Sequence, residues 1–403
     1  MKVIVQKFGG TSVQSERHRD RVVDLVARAQ EQGYRPVVVV SAMGRQGAPY
    51  ATDTLLSLVD AGALEPEHLD LLLGCGEVIA AAVVASCLVR RGIPAVPLTG
   101  GAAGIITDGE HGSARILDVD PTPVEALLAS ARVPVVAGFQ GRTASGKLTT
   151  LGRGGSDTTA AALGAALKAE VVDIFTDVEG LMTADPRIVA DAHHVPAADY
   201  DEVLQMATLG ARVMHPRAVE IARQFAVPLR IRSTFSDSDG TMVGAAPRTL
   251  DSWARREPAS AVTGVTALDG LAQCRVDGSP AEPGNWAWRL FQALAEAGIS
   301  VDLINVFPDA AYFCIPMELG PRAQEVAAAQ HLACAVQPDR AKVSVVGSAI
   351  HGLPGVMAHV LGALSEAHIA VLQTADSHST ISCLVERASM EPAVRCLHDS
   401  FGL

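Results

Sequence analysis

Cations and carboxylates in this chain sit beside glycine pairs, at points where short apolar runs give way to helical patterns. "VQKFGGTSV" (residues 5–13) ends a β-branched run in Lys7, Phe8, Gly9 and Gly10 before passing into Thr11 and Ser12. "TLGRGGSDTTAAALGAALKAE" (150–170) sets Arg153, Gly154, Gly155, Ser156 and Asp157 just ahead of an alanine-rich helical stretch. "SAMG" (41–44) and "TDVEGLMTADPR" (176–187) follow strands in the same way. Any one of these could be an ordinary tight turn. Glycine permits close backbone approach, however, and a helix start offers unpaired N–H groups with a partial positive charge. Four such junctions together, with Lys7 and Arg153 as the cations, read as a floor where backbone amides close on phosphate.

Other chemistries are excluded by what is missing. There is no GxxxxGK[ST] sequence, so a P-loop is ruled out. "GRGGSD" departs from GxGxxG because Asp157 takes the last position, and from GxSxG because Thr158 follows Asp157. The seven cysteines form no CxxC pair and are mostly flanked by apolar residues, which suits small buried thiols. The twelve histidines form no HExxH, and His193–His194 is an isolated doublet. No constellation suggests a metal held by the protein.

Composition bounds the rest. The 403 residues are 49% hydrophobic and 19% charged, which fits a folded chain of two or three domains. The net charge of −12 argues against a nucleic-acid surface and means that anionic substrates must be met by locally placed cations. Apolar stretches are broken by Gly, Pro or charge before about 18 residues, so no membrane span is expected. "MKVIVQKFGG" reads as a strand and not a signal peptide, giving a cytoplasmic expectation.

These junctions need elements to hold them. "VIVQKF", a helix with Val22, Leu25, Val26 and Ala29 on one face, and the strand "VVVVS" make one βαβ unit. "VPVVAGF" (133–139) and "VVDIFTD" (171–177) read as further buried strands. The expected fold is therefore α/β, a mainly parallel sheet sandwiched by helices, over residues 1–244. In such sheets ligands bind at the carboxyl ends of the strands. Residues 245–262 lose periodicity and read as a linker. Beyond it, "PGNWAWRLFQALAEAGISVDLINV" (283–306) aligns with "PGVMAHVLGALSEAHIAVLQTADS" (354–377). This repeat implies two small α+β modules, over 263–335 and 336–403.

Taken in order, "VQKFGGTSV", "VVVVSAMG", "GFQGR", "TTLGRGGSDTTAAALGAALKAE", "IFTDVEGLMTADPR" and "LGARVMHPRAVEIA" resemble the motif series of the aspartokinases, within the amino-acid kinase superfamily. The "VPLRIRSTF…GTMV" ending and the C-terminal repeats, similar to ACT modules, extend the likeness over nearly the whole chain. The length resembles the single-function type, and "SAMGRQGAPYATDTLLSLV" with the "CLHDSFGL" ending resembles its diaminopimelate-sensitive branch.

The resemblance implies transfer of the ATP γ-phosphoryl group, with Mg²⁺ entering on the nucleotide, to the β-carboxylate of L-aspartate. This is the first step toward lysine and diaminopimelate, threonine and methionine. A carboxylate with a pKa of about 3.9 needs no general base at neutral pH, so the site has to align and neutralise charge. On this reading Lys7 meets the β- and γ-phosphates, Phe8, Gly9, Gly10 and Ser41 lie on the nucleotide, and Asp157 holds Lys7. Arg153 grips the α-carboxylate of aspartate, with Gly154 and Ser156 beside it, Glu77 accepts its ammonium, and Thr52 is the matching substrate threonine. Thr176, Asp177, Met182, Asp185 and Arg187 fall on the nucleoside side, Met182 standing where an aromatic is frequent in the family. Glutamate, acetylglutamate or a nucleoside monophosphate are alternative acceptors on the same fold, and an Arg153–Glu77 pair disfavours the last two. A non-catalytic amino-acid sensor is the other alternative, disfavoured because Lys7, Arg153 and Asp157 are all present. The ACT-like modules imply feedback by lysine, threonine or diaminopimelate and a homodimer or larger homo-oligomer. Asp302, Asn305, Pro283 and Gly284 are the candidate effector contacts.

Overall fold

The computed structural model describes residues 2–211, 213–245, 261–278, 285–348, 350 and 353–403. Most of the linker expected at 245–262, and the effector candidates Pro283 and Gly284, lie outside the described residues. The chain forms two compact units. One comprises Met1–Leu181, His194–Ala207 and Arg212–Pro247; the other comprises Met182–His193, Thr208–Ala211 and Arg248–Leu403.

The first unit is built on an eight-stranded sheet. Its central strands are β1 (Val3–Phe8), β2 (Arg35–Val40) and β6 (Val133–Ala137), and β1 pairs in parallel with β2 and with β9 (Val171–Thr176). With β3 (Ala95–Leu98), β10 (Ala197–Asp199), β11 (Leu229–Ser233) and β12 (Thr241–Gly244), the order is β10-β12-β11-β9-β1-β2-β6-β3. Only the β11–β12 pairing is antiparallel, so β12 and β10 run opposite to the other strands. A separate four-stranded sheet joins β4 (Ile105–Thr107), β5 (Ile116–Val119), β7 (Gln140–Arg142) and β8 (Leu148–Thr150).

Strand alternation decides which face each side chain serves. Phe8, Val38, Val40 and Val135 face α2 (Glu16–Glu31) and α4 (Pro66–Arg90), packing with Val22, Val26, Ala80 and Val84. Lys7 alternates with Phe8 and so belongs to the opposite face, where α6 (Gly155–Ala166) lies across β1, β2 and β9.

Helix α4 runs through the interruptions at Gly74, Gly76 and Glu77 without breaking. Its 25 residues make it, among the described residues, the one helix long and apolar enough to cross a membrane, and half of its most apolar window is buried inside the protein. Gly74 and Gly76 lower helix propensity by about 1 kcal/mol each but do not end the helix. Gly76 has a packing reason, because a Cβ there would come 2.8 Å from the Tyr50 carbonyl oxygen. The helix therefore packs as a core element against β2, β3 and β6.

The second unit carries a six-stranded antiparallel sheet in the order β14-β15-β13-β16-β18-β17. These strands are β13 (Gly264–Asp277), β14 (Asp302–Val306), β15 (Ala310–Pro316), β16 (Ala333–Val346), β17 (Gln373–Asp376) and β18 (Thr380–Glu386). Two cores lie on it. Trp286, Leu290 and Leu294, with Ala323 and Ala327, pack on Ala272, Cys274 and Val276. Val356, Val360 and Leu364, with Val394 and Leu397, pack on Val343, Val345 and Val265. The repeat seen in the sequence is thus a structural repeat, but its copies exchange strands. A register shift between Leu268 and Leu271, with Gly270 at φ +72, switches the helix-facing positions of β13 from odd to even. One half of β13 completes the core of the far repeat and the other half that of its own. All seven cysteines are free, and Cys75 is exposed, unlike the four that are buried.

Candidate active site

The carboxyl ends of β1 and β2, the middle of α4 at Glu77 and the turn before α6 surround a cleft of about 690 Å³ in the first unit. Lys7, at the penultimate position of β1, points its Nζ to within 2.7 Å of Asp157 Oδ1, and both side chains are nearly buried. Asp157 lies in the first turn of α6, and its other oxygen accepts the His215 amide at 3.3 Å. The first-turn amides of Ser156 and Asp157 have no acceptor within the helix, so the helix start presents N–H groups beside an ammonium. That combination is a seat for a phosphate oxygen.

Glycine is needed here for close approach. Gly154 caps α6 at φ +68, and a Cβ on it would lie 2.0 Å from His215 Cγ. A Cβ on Gly10 would fall 2.6 Å from the carbonyl oxygens of both Ala42 and Gly44, where the first turn meets the "SAMG" turn. The two turns are joined by the Gly44 amide donating to the Gly10 carbonyl at 2.9 Å.

Two expected nucleotide contacts are altered by this packing. The Gly9 amide donates to the Phe175 carbonyl at 3.2 Å, so it is already used within the protein, whereas Gly10 lines the cleft. The Phe8 side chain is fully buried and stacked on Phe175 with centroids 4.8 Å apart, because strand alternation turns it away from Lys7. Only its backbone serves the site, through a carbonyl that accepts the Ser41 amide at 3.1 Å.

Across the cleft, Glu77 on α4 is 2% exposed. Its Oε1 accepts the Ala42 amide at 3.1 Å, while Oε2 has no partner among the described residues. Burial pushes its carboxyl up to about 8, against a smaller lowering by the Ala42 amide. Arg153 stands exposed on the same cleft between Gly152 and Gly154, both at positive φ. Ser41, Thr52 and Ser156 line it as well. The arrangement offers one cleft with a seat for an ammonium, a guanidinium unpaired among the described residues for a carboxylate, and a cationic seat for phosphate.

Thr176 ends β9 and Asp177 follows it; neither lines the cleft, and Asp177 is held by Arg45, which does, at 2.5 Å and by the Thr176 hydroxyl at 3.2 Å. Met182, Asp185 and Arg187 do not line the cleft. They sit on Met182–His193, which packs with the second unit. There Asp185 and Arg187 bind each other, Nη2 to Oδ2 at 2.6 Å and Nε to Oδ1 at 3.0 Å, which holds the Asp185 carboxyl below its ordinary range. In the second unit, Asp302 pairs with the buried Lys342, and Asn305 Oδ1 accepts the Gln373 side-chain amide at 2.7 Å. Among the described residues no group of three His, Cys, Asp or Glu side chains could hold a metal ion.

Several residues of the site carry no role in the sequence reading. Arg45 is a third cation on the cleft, and Phe139 lines it at φ +67. Arg217 donates through Nη1 to the Leu151 carbonyl at 3.0 Å and through Nη2 to that of Ala114 at 3.3 Å, pinning the chain just before Arg153. The "MHPRA" stretch is the signal that could have found His215 and Arg217, since a His-Pro-Arg helix start is unusual for a solvated cap.

Comparison with known proteins agrees with this geometry. Residues 2–233 match the amino acid kinase family and residues 335–399 the ACT domain. Aspartokinase 1 of Bacillus subtilis is 46% identical over the whole of both chains. The aspartokinase of Geobacillus stearothermophilus is 41% identical over all of this chain and 98% of its own. The crystal structure of Escherichia coli aspartokinase III in complex with lysine and aspartate, in its T-state, superposes with a TM-score of 0.78 at 25% identity, covering the whole of both chains. With full-length identity of this order, and three of the four motif junctions gathered around one cleft, the chain belongs to the aspartokinase family.

Proposed function

We propose that the protein transfers the γ-phosphoryl group of ATP to the β-carboxylate of L-aspartate, giving 4-phospho-L-aspartate and ADP. One observation carries this: the half-satisfied Glu77 carboxylate faces the cleft that also holds Arg153 and the Lys7–Asp157 pair. A free amino acid with an ammonium and a carboxylate fits the first two, and a phosphate fits the third. Acetylglutamate lacks the ammonium, so it would bring no charged donor to the unpartnered Oε2 of Glu77 and would forgo that charge-assisted bond.

In the reaction an aspartate β-carboxylate oxygen bonds to the γ-phosphorus as the bond to the β,γ-bridging oxygen breaks. The displaced electrons leave on ADP. Both reactants are anions, and the acceptor is already ionised, so proton transfer is unnecessary. Lys7 neutralises the phosphate side, and Asp157 fixes its ammonium in place. Arg153 binds the α-carboxylate through paired hydrogen bonds and Glu77 takes the ammonium, which leaves the β-carboxylate directed at the nucleotide. Mg²⁺ arrives as part of the MgATP substrate. Asp177 and Thr176 serve the nucleoside side, with Arg45 able to leave Asp177 for a phosphate.

The second unit takes an amino-acid effector, lysine, threonine or diaminopimelate, close to Asp302 and Asn305, and the active protein is a cytoplasmic homo-oligomer. The lysine bound by Escherichia coli aspartokinase III in its T-state supports this class of effector. Incubation with MgATP, aspartate and hydroxylamine is expected to yield aspartyl hydroxamate. No product with any of the three effectors present or absent would reject the assignment.

A further inference from the structure

Asp70, on α4 two turns before Glu77, is 1% exposed, and all its polar contacts are with hydrogen-bond donors. Oδ1 accepts the Thr150 hydroxyl at 2.5 Å and the Gly112 amide at 3.0 Å. Oδ2 accepts His111 Nδ1–H at 2.7 Å, the Thr150 amide at 3.0 Å and the Gly112 amide at 3.2 Å. A buried carboxylate can satisfy this set of donors because both of its oxygens only accept.

What it clamps is the approach to Arg153. Thr150 ends β8 three residues before Arg153, and its carbonyl is fixed by the Ala114 amide at 2.9 Å. Gly112 lines the cleft, and its carbonyl would stand 3.2 Å from a Cβ on Gly152. Gly152 and Gly154 flank Arg153 at φ +73 and +68. Glycines on either side leave the backbone at Arg153 little stiffness of its own. Its position is set by the anchored residues on either side, α6 behind it and the Thr150–Gly112 clamp ahead of it.

We propose that Asp70 is a positioning residue for the amino-acid half of the reaction, acting through Thr150 and Gly112 to set where Arg153 meets the substrate carboxylate. It touches neither substrate nor reacting atoms, and the inference rests on the assignment of Arg153 to aspartate. The phosphate seat is built from Lys7 and α6, whereas the hydrogen bonds of Asp70 among the described residues go to His111, Gly112 and Thr150. Its loss should therefore separate the two substrates, which a general loss of stability would not do.

The test is Asp70→Asn in the full chain, with aspartate and ATP varied in turn and rates corrected for folded protein by active-fraction and melting measurements. The amide keeps one acceptor but turns an NH₂ group toward N–H donors. The aspartate KM is expected to rise about tenfold, while the ATP KM stays within about twofold. If both KM values move together, or neither moves, the inference is overturned. Thr150→Val removes one donor and keeps the shape; it should raise the aspartate KM by about threefold with the ATP KM unmoved. If Asp70→Asn does not fold, an unchanged aspartate KM in Thr150→Val overturns the proposal by itself. A wild-type protein that phosphorylates no aspartate would sink the functional assignment and this inference with it. An active wild type beside unaltered variants would sink this inference alone.

Discussion

Replacing Glu77 by Gln separates what this carboxylate costs the empty protein from what it contributes to binding. Burial lifts the carboxyl from 4.5 to about 8. At about 1.36 kcal/mol per pH unit, that is roughly 5 kcal/mol against the ionised form. The folded protein holds this proton more tightly than the unfolded chain does. The neutral form's stability is thus fully present below about pH 4.5 and is lost as pH rises toward 8. Relative to Glu77→Gln, which does not titrate, the wild type should lose about 4 kcal/mol between about pH 5 and 8.

Binding runs in the opposite direction, because an ammonium requires the ionised carboxylate. At about pH 7 a carboxyl titrating near 8 is roughly one-tenth ionised, so the wild-type aspartate KM should fall about tenfold from pH 6 to 7 and level off above 8. Glu77→Gln should show a flat profile with a KM raised roughly a hundredfold at about pH 8, from the lost charge-assisted bond. Hydroxamate rates and melting curves across a pH series at constant ionic strength measure both. A flat wild-type KM between about pH 6 and 8, or a variant that melts below the wild type at about pH 8, would refute the reasoning.

Three further outcomes follow from the same geometry. Arg153→Ala should raise the aspartate KM by roughly a hundredfold while moving the ATP KM little, since a paired carboxylate contact of about 2–3 kcal/mol is lost; equal effects on both would remove its role. Lys7→Met should lower kcat at least about a hundredfold by removing the cation on the transferring group, and turnover within about tenfold of wild type would discard the phosphate seat. Gly154→Ala must accommodate φ +68 and a Cβ 2.0 Å from His215 Cγ. It should melt lower by the equivalent of about 2–3 kcal/mol and lose activity, and a variant that melts like wild type would show that the turn relaxes freely.

Much of the first unit was readable because its signals are local. β-branched runs, helical spacing and glycine junctions each lie within about ten residues, and a parallel sheet then gathers its strand ends on one side. The contact between Lys7 and Asp157 follows from that gathering. The Phe8 side chain and the Gly9 amide were harder to read. Which face a strand residue serves depends on what lies above and below the sheet, and whether an amide is free depends on a carbonyl as distant as Phe175. The same applies to Asp70, 80 residues from the threonine it holds. Arg217 likewise reaches carbonyls 66 and 103 residues away. No periodicity encodes such pairs. In the C-terminal part the repeat was visible as a pattern, whereas the strand exchange depends on a bulge at Gly270.

The amino-acid sequence by itself determined the kind of chemistry. Residue types at strand ends are local features, and cations, amides and glycines beside one another bind phosphate wherever the backbone turns in this way. Only the tertiary structure decided which of those groups remain available. Availability is a matter of unspent hydrogen bonds and burial, as with the one free oxygen of Glu77. The structure likewise settled that Met182–His193 packs with the second unit, since that depends on the hydrophobic core Ala184 and Val189 join and not on the motif they belong to.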